Sequence, residues 1–231
     1  MTSFLESSAF IGVAVSLVAY GLGCLLQKKW NCPLFNPLLI SILITIVLLL
    51  ITDMDYDIYY SGAKYLSYLL TPATVCLAIP LYEKLDLLKQ NKAAILLGIV
   101  SGVLTTLLCV LAMGLIFGLN HAEYVTLLPK SITTAIGMGV AEEAGGIVTI
   151  TIVSIIFTGI LGNIVAEGWF KLVGIREPIA KGLALGTAAH AIGTSKALEL
   201  GEVEGAMSSL SIAVAGLMTV IAVPLMAGLI G

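Results

Sequence analysis

Two stretches, Pro129–Gly146 (PKSITTAIGMGVAEEAGG) and Gly186–Ser195 (GTAAHAIGTS), interrupt a chain otherwise built of apolar runs long enough to cross a bilayer. Both are rich in hydroxyls, small residues and glycine, and both carry or adjoin ionisable groups. Hydrocarbon satisfies neither broken backbone nor bare polar side chains. Such stretches therefore persist only where protein or a water-filled cavity surrounds them, and their position among spanning segments suggests a solute path.

Composition supports the membrane assignment. The hydrophobic fraction is 59% and the charged fraction 11%, against about 45–50% and about 25% for a soluble domain. A net charge of −3 argues against a nucleic-acid partner. Cys24, Cys32, Cys76 and Cys109 fall within or beside apolar segments without metal-ligand spacing, and read as small packing residues. With the two histidines far apart, no metal site is expected, and no cofactor. GxSxG, HExxH, P-loop and GxGxxG patterns are absent, so the chain reads as neither an enzyme nor a nucleotide-driven pump. The N-terminus MTSFLESS lacks a basic region, and the first apolar run ends at Lys28-Lys29, which reads as a retained first helix.

A spanning helix needs roughly 20 mostly apolar residues. The candidates are Ser8–Gln27, Asn36–Ile51, Tyr65–Leu81, Ala93–Leu119, Ile147–Val165, Ile179–Ala197 and Ala206–Ile230. The second is short and extends towards Cys32 through Pro33 and Pro37; Pro129–Gly146 is an eighth, less apolar element. These runs do not alternate, which excludes a membrane barrel. With short linkers, the expected fold is all-α, a polytopic transmembrane helical protein forming a single membrane domain over residues 1–231.

Lys28 and Lys29, then Lys84, Lys89 and Lys92, then Lys171, Arg176 and Lys181 mark cytoplasmic connections. Asp53, Asp55 and Asp57, and Glu199, Glu202 and Glu204, then lie outside. Counting crossings, Ile147–Val165 crosses and Pro129–Gly146 enters and leaves on the outer side as a re-entrant hairpin, with Gly145-Gly146 suited to its return. Thr71-Pro72-Ala73-Thr74 through Glu83 also lays over Thr187-Ala188-Ala189-His190 through Glu199. Halves 1–119 and 126–231 are therefore expected to be inverted repeats with discontinuous helices.

Pro72 removes a backbone donor inside an apolar segment, and Thr71 or Thr74 supplies replacement partners. In the second half, Thr187, His190, Thr194 and Ser195 crowd a run with glycine at either end. Close helix packing is the alternative use of such residues. His190 is suited either to a satisfied interior position or to donating a hydrogen bond or carrying a proton. Pro129-Lys130-Ser131-Ile132-Thr133-Thr134 resembles a helix start, with Ser131 as cap. Its backbone donors and Lys130 suit an anion, unless that lysine snorkels to water. Glu142 or Glu143 is placed either to pair with Lys130 or take a coupling proton, or to sit in a solvated turn. Asn163 is placed to bond across helices or line the path.

At these residues the chain resembles LrgB/CidB-type membrane proteins. The segments are TPATVCLAIPLYEK (Thr71–Lys84), PKSITTAIGMGVAEEAGGI (Pro129–Ile147) and REPIAKGLALGTAAHAIGTSKALELGEVEGAMSSL (Arg176–Leu210). Ala135 departs from the proline that many relatives carry after the paired threonines. The resemblance implies a bacterial inner (plasma) membrane protein, a smaller membrane partner of the LrgA/CidA type, and two competing roles. One is an antiholin-like regulator of murein hydrolase export and lysis. The other is a carrier of a small 2-oxo or 2-hydroxy monocarboxylate such as pyruvate or glycolate. A homodimer is expected by analogy with similar carriers.

The expectation carried forward is a secondary carrier. Its substrate site comprises Thr71, Thr74, Lys130, Ser131, Thr133, Thr134, Asn163, Thr187, His190, Thr194 and Ser195, with Glu143 or His190 taking the coupling proton. The regulator is the alternative.

Overall fold

The computed structural model describes residues 10–30 and 35–231, and at Leu70, Thr71 and Thr74 the backbone alone. The N-terminal MTSFLESS and the expected extension of the second span through Pro33 and Cys32 lie outside the described residues. All regular structure among the described residues is helical, and the chain divides into two compact units, Met1–Cys76 and Leu77–Gly231.

In the first unit, helix α1 (Ile11–Trp30) packs against both α2 (Pro37–Thr52) and α3 (Tyr56–Ser67). The Asn36 side chain caps α2, accepting from the backbone of Leu38 at 2.9 Å and Leu39 at 3.2 Å, with Pro37 in the first turn where its missing N–H costs nothing. Asp53 closes that helix in the left-handed region (φ 49°), and the Asp55 carboxylate accepts from Asp57 N at 2.9 Å to open α3. Asp53 and Asp55 thus serve as helix ends. The Ser16 and Tyr59 hydroxyls meet at 2.7 Å between α1 and α3. The expected third span, Tyr65–Leu81, is not one helix. α3 ends at Ser67, and α4 (Leu70–Cys76) restarts with Pro72 in its first turn, the place where proline is tolerated.

The second unit contains α5 (Ala78–Glu83), α6 (Leu85–Gln90), α7 (Lys92–Phe117), α8 (His121–Leu127), α9 (Thr134–Glu143), α10 (Val148–Val173), α11 (Pro178–Leu200) and α12 (Glu202–Ala227). Ile95, Ile99, Val103, Leu107 and Val110 recur at helical spacing along α7 and form one wall of the core with Tyr124, Leu128, Met207 and Val223. Between helices in lipid such contacts stabilise through van der Waals packing rather than through removal from water. Tyr124 is enclosed at 0% exposure and donates its hydroxyl to Met226 O at 3.2 Å.

The chain doubles back twice in this unit. Asn120 and Glu123 form a capping box at the start of α8. Beyond the buried Pro129–Ile132 turn, α9 returns, and Gly145 (φ 81°) delivers the chain beside α8 again. There Ile147 N donates to Thr126 Oγ1 at 2.7 Å, and Thr151 Oγ1 donates to Thr126 O at 2.9 Å.

The second reversal lies inside α11. His190 leaves helical space (φ 43°, ψ −134°) and splits the element into two half-helices. A Cβ built on Gly193 would stand 2.5 Å from Leu185 O and 2.7 Å from Ala189 Cβ, so the second half runs back along the first and only glycine fits. The small residues of α12 receive both halves: Gly182 abuts Glu204, Gly186 abuts Ser208, and Leu198 abuts Gly205.

Four described helices are long and apolar enough to cross a membrane: α1, α7, α10 and α12. α2 is apolar but has only 16 residues. Of the expected spans, Tyr65–Leu81 is divided by turns, and Ile179–Ala197 is folded on itself at His190.

Candidate functional site

The two reversals bring the polar residues of the second unit together. Ser131, from the α8–α9 turn, lines a small cavity with Thr187 of α11, Thr106 of α7 and Thr219 of α12, closed by apolar residues including Val103, Leu128 and Ile132. It has room for about one water molecule. Thr106 and Thr187 also belong to a groove of about 720 Å³ between α7 and the first half of α11. That groove runs from Asn91 and Glu177, past Gly98, Ser101 and Gly102, to the two threonines. Groove and cavity are therefore consecutive compartments meeting at Thr106 and Thr187.

Several groups at the break at His190 have partners. Nε2 lies 3.0 Å from Ile155 O, and because a carbonyl only accepts, Nε2 carries the proton. The ring rests where Gly159 leaves no side chain, its Cε1 2.9 Å from the position a Cβ would occupy. Thr194 Oγ1 donates to His190 O at 3.0 Å, so the 2.7 Å bond between Thr194 and Ser208 has Ser208 as donor. Asn163 Nδ2 and Ser195 Oγ both donate to Ile192 O, at 3.1 and 2.7 Å. These bonds answer the problem a broken helix poses away from water, where freed backbone groups need side-chain partners.

Lys130 contrasts with this. Its ammonium donates to Ser131 Oγ at 3.2 Å, and among the described residues no carboxylate lies within 4.0 Å of it. Glu142 and Glu143 are exposed at the far end of α9, and neither pairs with Lys130. Ser131 is buried at 5% exposure and does not cap α9; the helix starts at Thr134 with Thr133 in the cap position, and the Thr133 side chain makes no cap bond. The first backbone donors of α9 are thus not taken up by the cap side chain.

The remaining expected residues are distributed differently. Thr187 donates back to Leu183 O at 2.8 Å, Thr133 and Thr134 are half-buried, and Ser195 is exposed. Thr71 and Thr74 lie in α4 of the other unit, their side chains outside the described set. Sequence reading missed Thr106, Ser208 and Thr219. Their signal was the recurrence of small residues on one face of α12 (Ser208, Ser211, Ala215, Thr219): Ser208 and Ser211 abut Gly186 of α11, and Ala215 and Thr219 share the small cavity with Thr106 of α7. Among the described residues no group of His, Cys, Asp or Glu is arranged to hold a metal.

The LrgB-like family model matches residues 16–229. Proteins named antiholin-like protein LrgB, from Bacillus cereus and Bacillus anthracis, are each 39% identical to this chain over 223 residues, covering 96% of it and 97% of their own length. No solved structure matches the chain.

Proposed function

The chain belongs to the LrgB-like family, a multi-pass protein of the bacterial inner membrane, and from that premise we propose that it works as an antiholin-like regulator of murein hydrolase export and lysis. It would act through a smaller membrane protein of the LrgA/CidA type, with which members of the family commonly pair. The observation that carries this reading is the match to proteins named antiholin-like along nearly the whole chain. In this role the exposed faces of the long helices meet the partner, and the buried hydroxyls around His190 hold the fold.

A second reading, carriage of a small 2-oxo or 2-hydroxy monocarboxylate, is favoured by one specific observation: the Lys130 ammonium without a carboxylate partner, beside the cavity that Ser131 lines. Under it, Lys130, Ser131, Thr133 and Thr134 take the carboxylate, and Thr187, Asn163, His190, Thr194 and Ser195 complete the path within the second unit. Glu143 or His190 takes the coupling proton. The α8–α9 reversal is then the re-entrant hairpin, halves 1–119 and 126–231 of a single membrane domain are inverted repeats, and one moves against the other. The assembly is a homodimer.

Uptake of labelled pyruvate or glycolate into proteoliposomes, with and without the smaller partner, separates the readings. Carriage requires uptake above protein-free vesicles that Lys130→Ala abolishes. The regulator instead predicts no uptake, co-purification with the partner, and altered lysis on deletion; failure of the chain to bind the partner would sink it.

A further inference from the structure

The connection between α10 and α11 holds a site separate from the one above. α10 ends at Gly174 in the left-handed region (φ 75°), and Pro178 starts α11 after three residues. Because α11 doubles back, its end at Leu200 returns beside its start. The result is a cleft of about 340 Å³ lined by Glu167, Phe170, Lys171, Arg176, Lys181 and Leu200, among others.

The charge balance is uneven. Lys171, Arg176 and Lys181 have no carboxylate within 4.0 Å among the described residues. The one carboxylate lining the cleft, Glu167, is taken by Lys196 at 2.7 Å, and Lys196 also holds Glu199 at 3.2 Å. Glu177, next to Arg176, lines the groove on the other side of the chain. Three cations thus converge on a hollow whose one carboxylate is already paired with Lys196.

We propose that this cleft binds a phosphate-bearing anion. Arg176 offers a planar fork that matches phosphate oxygens, and Lys171 and Lys181 add point charges from the two helix ends. The surroundings favour a phospholipid headgroup over free phosphate. Trp169, Leu172 and Val173 are 58%, 77% and 55% exposed on the same closing turns of α10, an apolar surface against which acyl chains can lie while the headgroup sits in the cleft. The occupant would bridge α10 to the start of α11 and steady the base of the folded-back element.

The test is thermal unfolding of the full chain, purified in a neutral detergent and titrated with phosphatidylglycerol, phosphatidylcholine or inorganic phosphate. Phosphatidylglycerol should raise the midpoint saturably while phosphatidylcholine does not. Lys171→Gln, Arg176→Gln and Lys181→Gln should each weaken the apparent affinity about fivefold, whereas Lys89→Gln, at an exposed lysine elsewhere, should leave it unchanged. A shift of equal size and equal cation dependence with inorganic phosphate supports the site and assigns it to the soluble ion. Shifts indifferent to the three cations, or equally large with phosphatidylcholine, overturn the proposal. Native mass spectrometry gives a readout that does not depend on unfolding. Wild-type protein should retain an anionic phospholipid that the Arg176→Gln/Lys181→Gln variant loses, and equal retention by both also overturns the proposal.

Discussion

The two reversals of the second unit solve the same problem in opposite ways. At His190 the chain breaks a helix and then partners what it exposed: the imidazole with Ile155 O, the carbonyl of His190 with Thr194, that of Ile192 with Asn163 and Ser195. At Pro129–Thr133 the chain buries Ser131 and Ile132 yet leaves the Lys130 ammonium with a single hydroxyl. The first turn is closed chemically; the second keeps one uncompensated charge. His190 Nε2 and the two carbonyls are taken up by the fold, whereas the Lys130 ammonium meets one hydroxyl and no carboxylate within 4.0 Å among the described residues.

The severest way to break this comparison is to obstruct the fold-back itself. Gly193→Val puts side-chain atoms where Leu185 O stands and should cost about 3 kcal/mol. The expected readout is loss of the monodisperse detergent-solubilised species. An unchanged melting temperature would mean that α11 is straight. Next comes the break residue. His190→Ala removes the bond to Ile155 and leaves a non-glycine residue at φ 43°, a loss of about 2 kcal/mol. His190→Gly loses the same bond without the backbone penalty and should be the milder of the two. The reverse order would show that the backbone is not held in the left-handed region.

Much of this was legible in the residues. Long apolar runs identify α7, α10 and α12 because in lipid the helix must satisfy its own backbone. The polar, glycine-bounded run Gly186–Ser195 marked a discontinuity that the structure puts at His190. The reversal was not legible, since it depends on backbones approaching at Gly182, Gly186 and Gly193, contacts between residues whose partners no local pattern names. α3 was passed over because its tyrosines and charges lower its hydropathy, and Asp55, which caps it, was read only as a loop charge. The counter-charge of Lys130 was open in the sequence because Glu142 and Glu143 are near in sequence, while α9 carries them away in space.

Smaller substitutions sharpen the contrast. Thr194→Val leaves the buried Ser208 hydroxyl without its partner and should cost about 1–2 kcal/mol. Adding Ser208→Ala should recover part of that loss, because neither group is then left wanting; strict additivity would show that the two hydroxyls do not interact. At the other tip the sign should invert. Lys130→Met removes a largely buried charge that lacks a counter-ion, keeps most of the stem's volume, and should raise stability by about 1 kcal/mol. Loss of stability there would mean that Lys130 has a structural partner after all, and the distinction between the two tips would fall.

The weakest effect is expected at the foot of α12, where the Lys84 ammonium donates to Glu202 at 2.8 Å. Their side chains are 27% and 81% exposed, so water screens the pair. The hydrogen bond to Glu202, together with that carboxylate's attraction, holds Lys84 above the ordinary lysine value of 10.5. A raised lysine contributes its stability in full below that value and loses it only as pH climbs through the folded-state value. Lys84→Gln should therefore shift the melting temperature least of all these substitutions, and by the same amount at pH 6 as at pH 9. A shift that grew between those two pH values would mean that the partner of Lys84 titrates in that range, and that the bridge sits in a less watery place than its exposure implies.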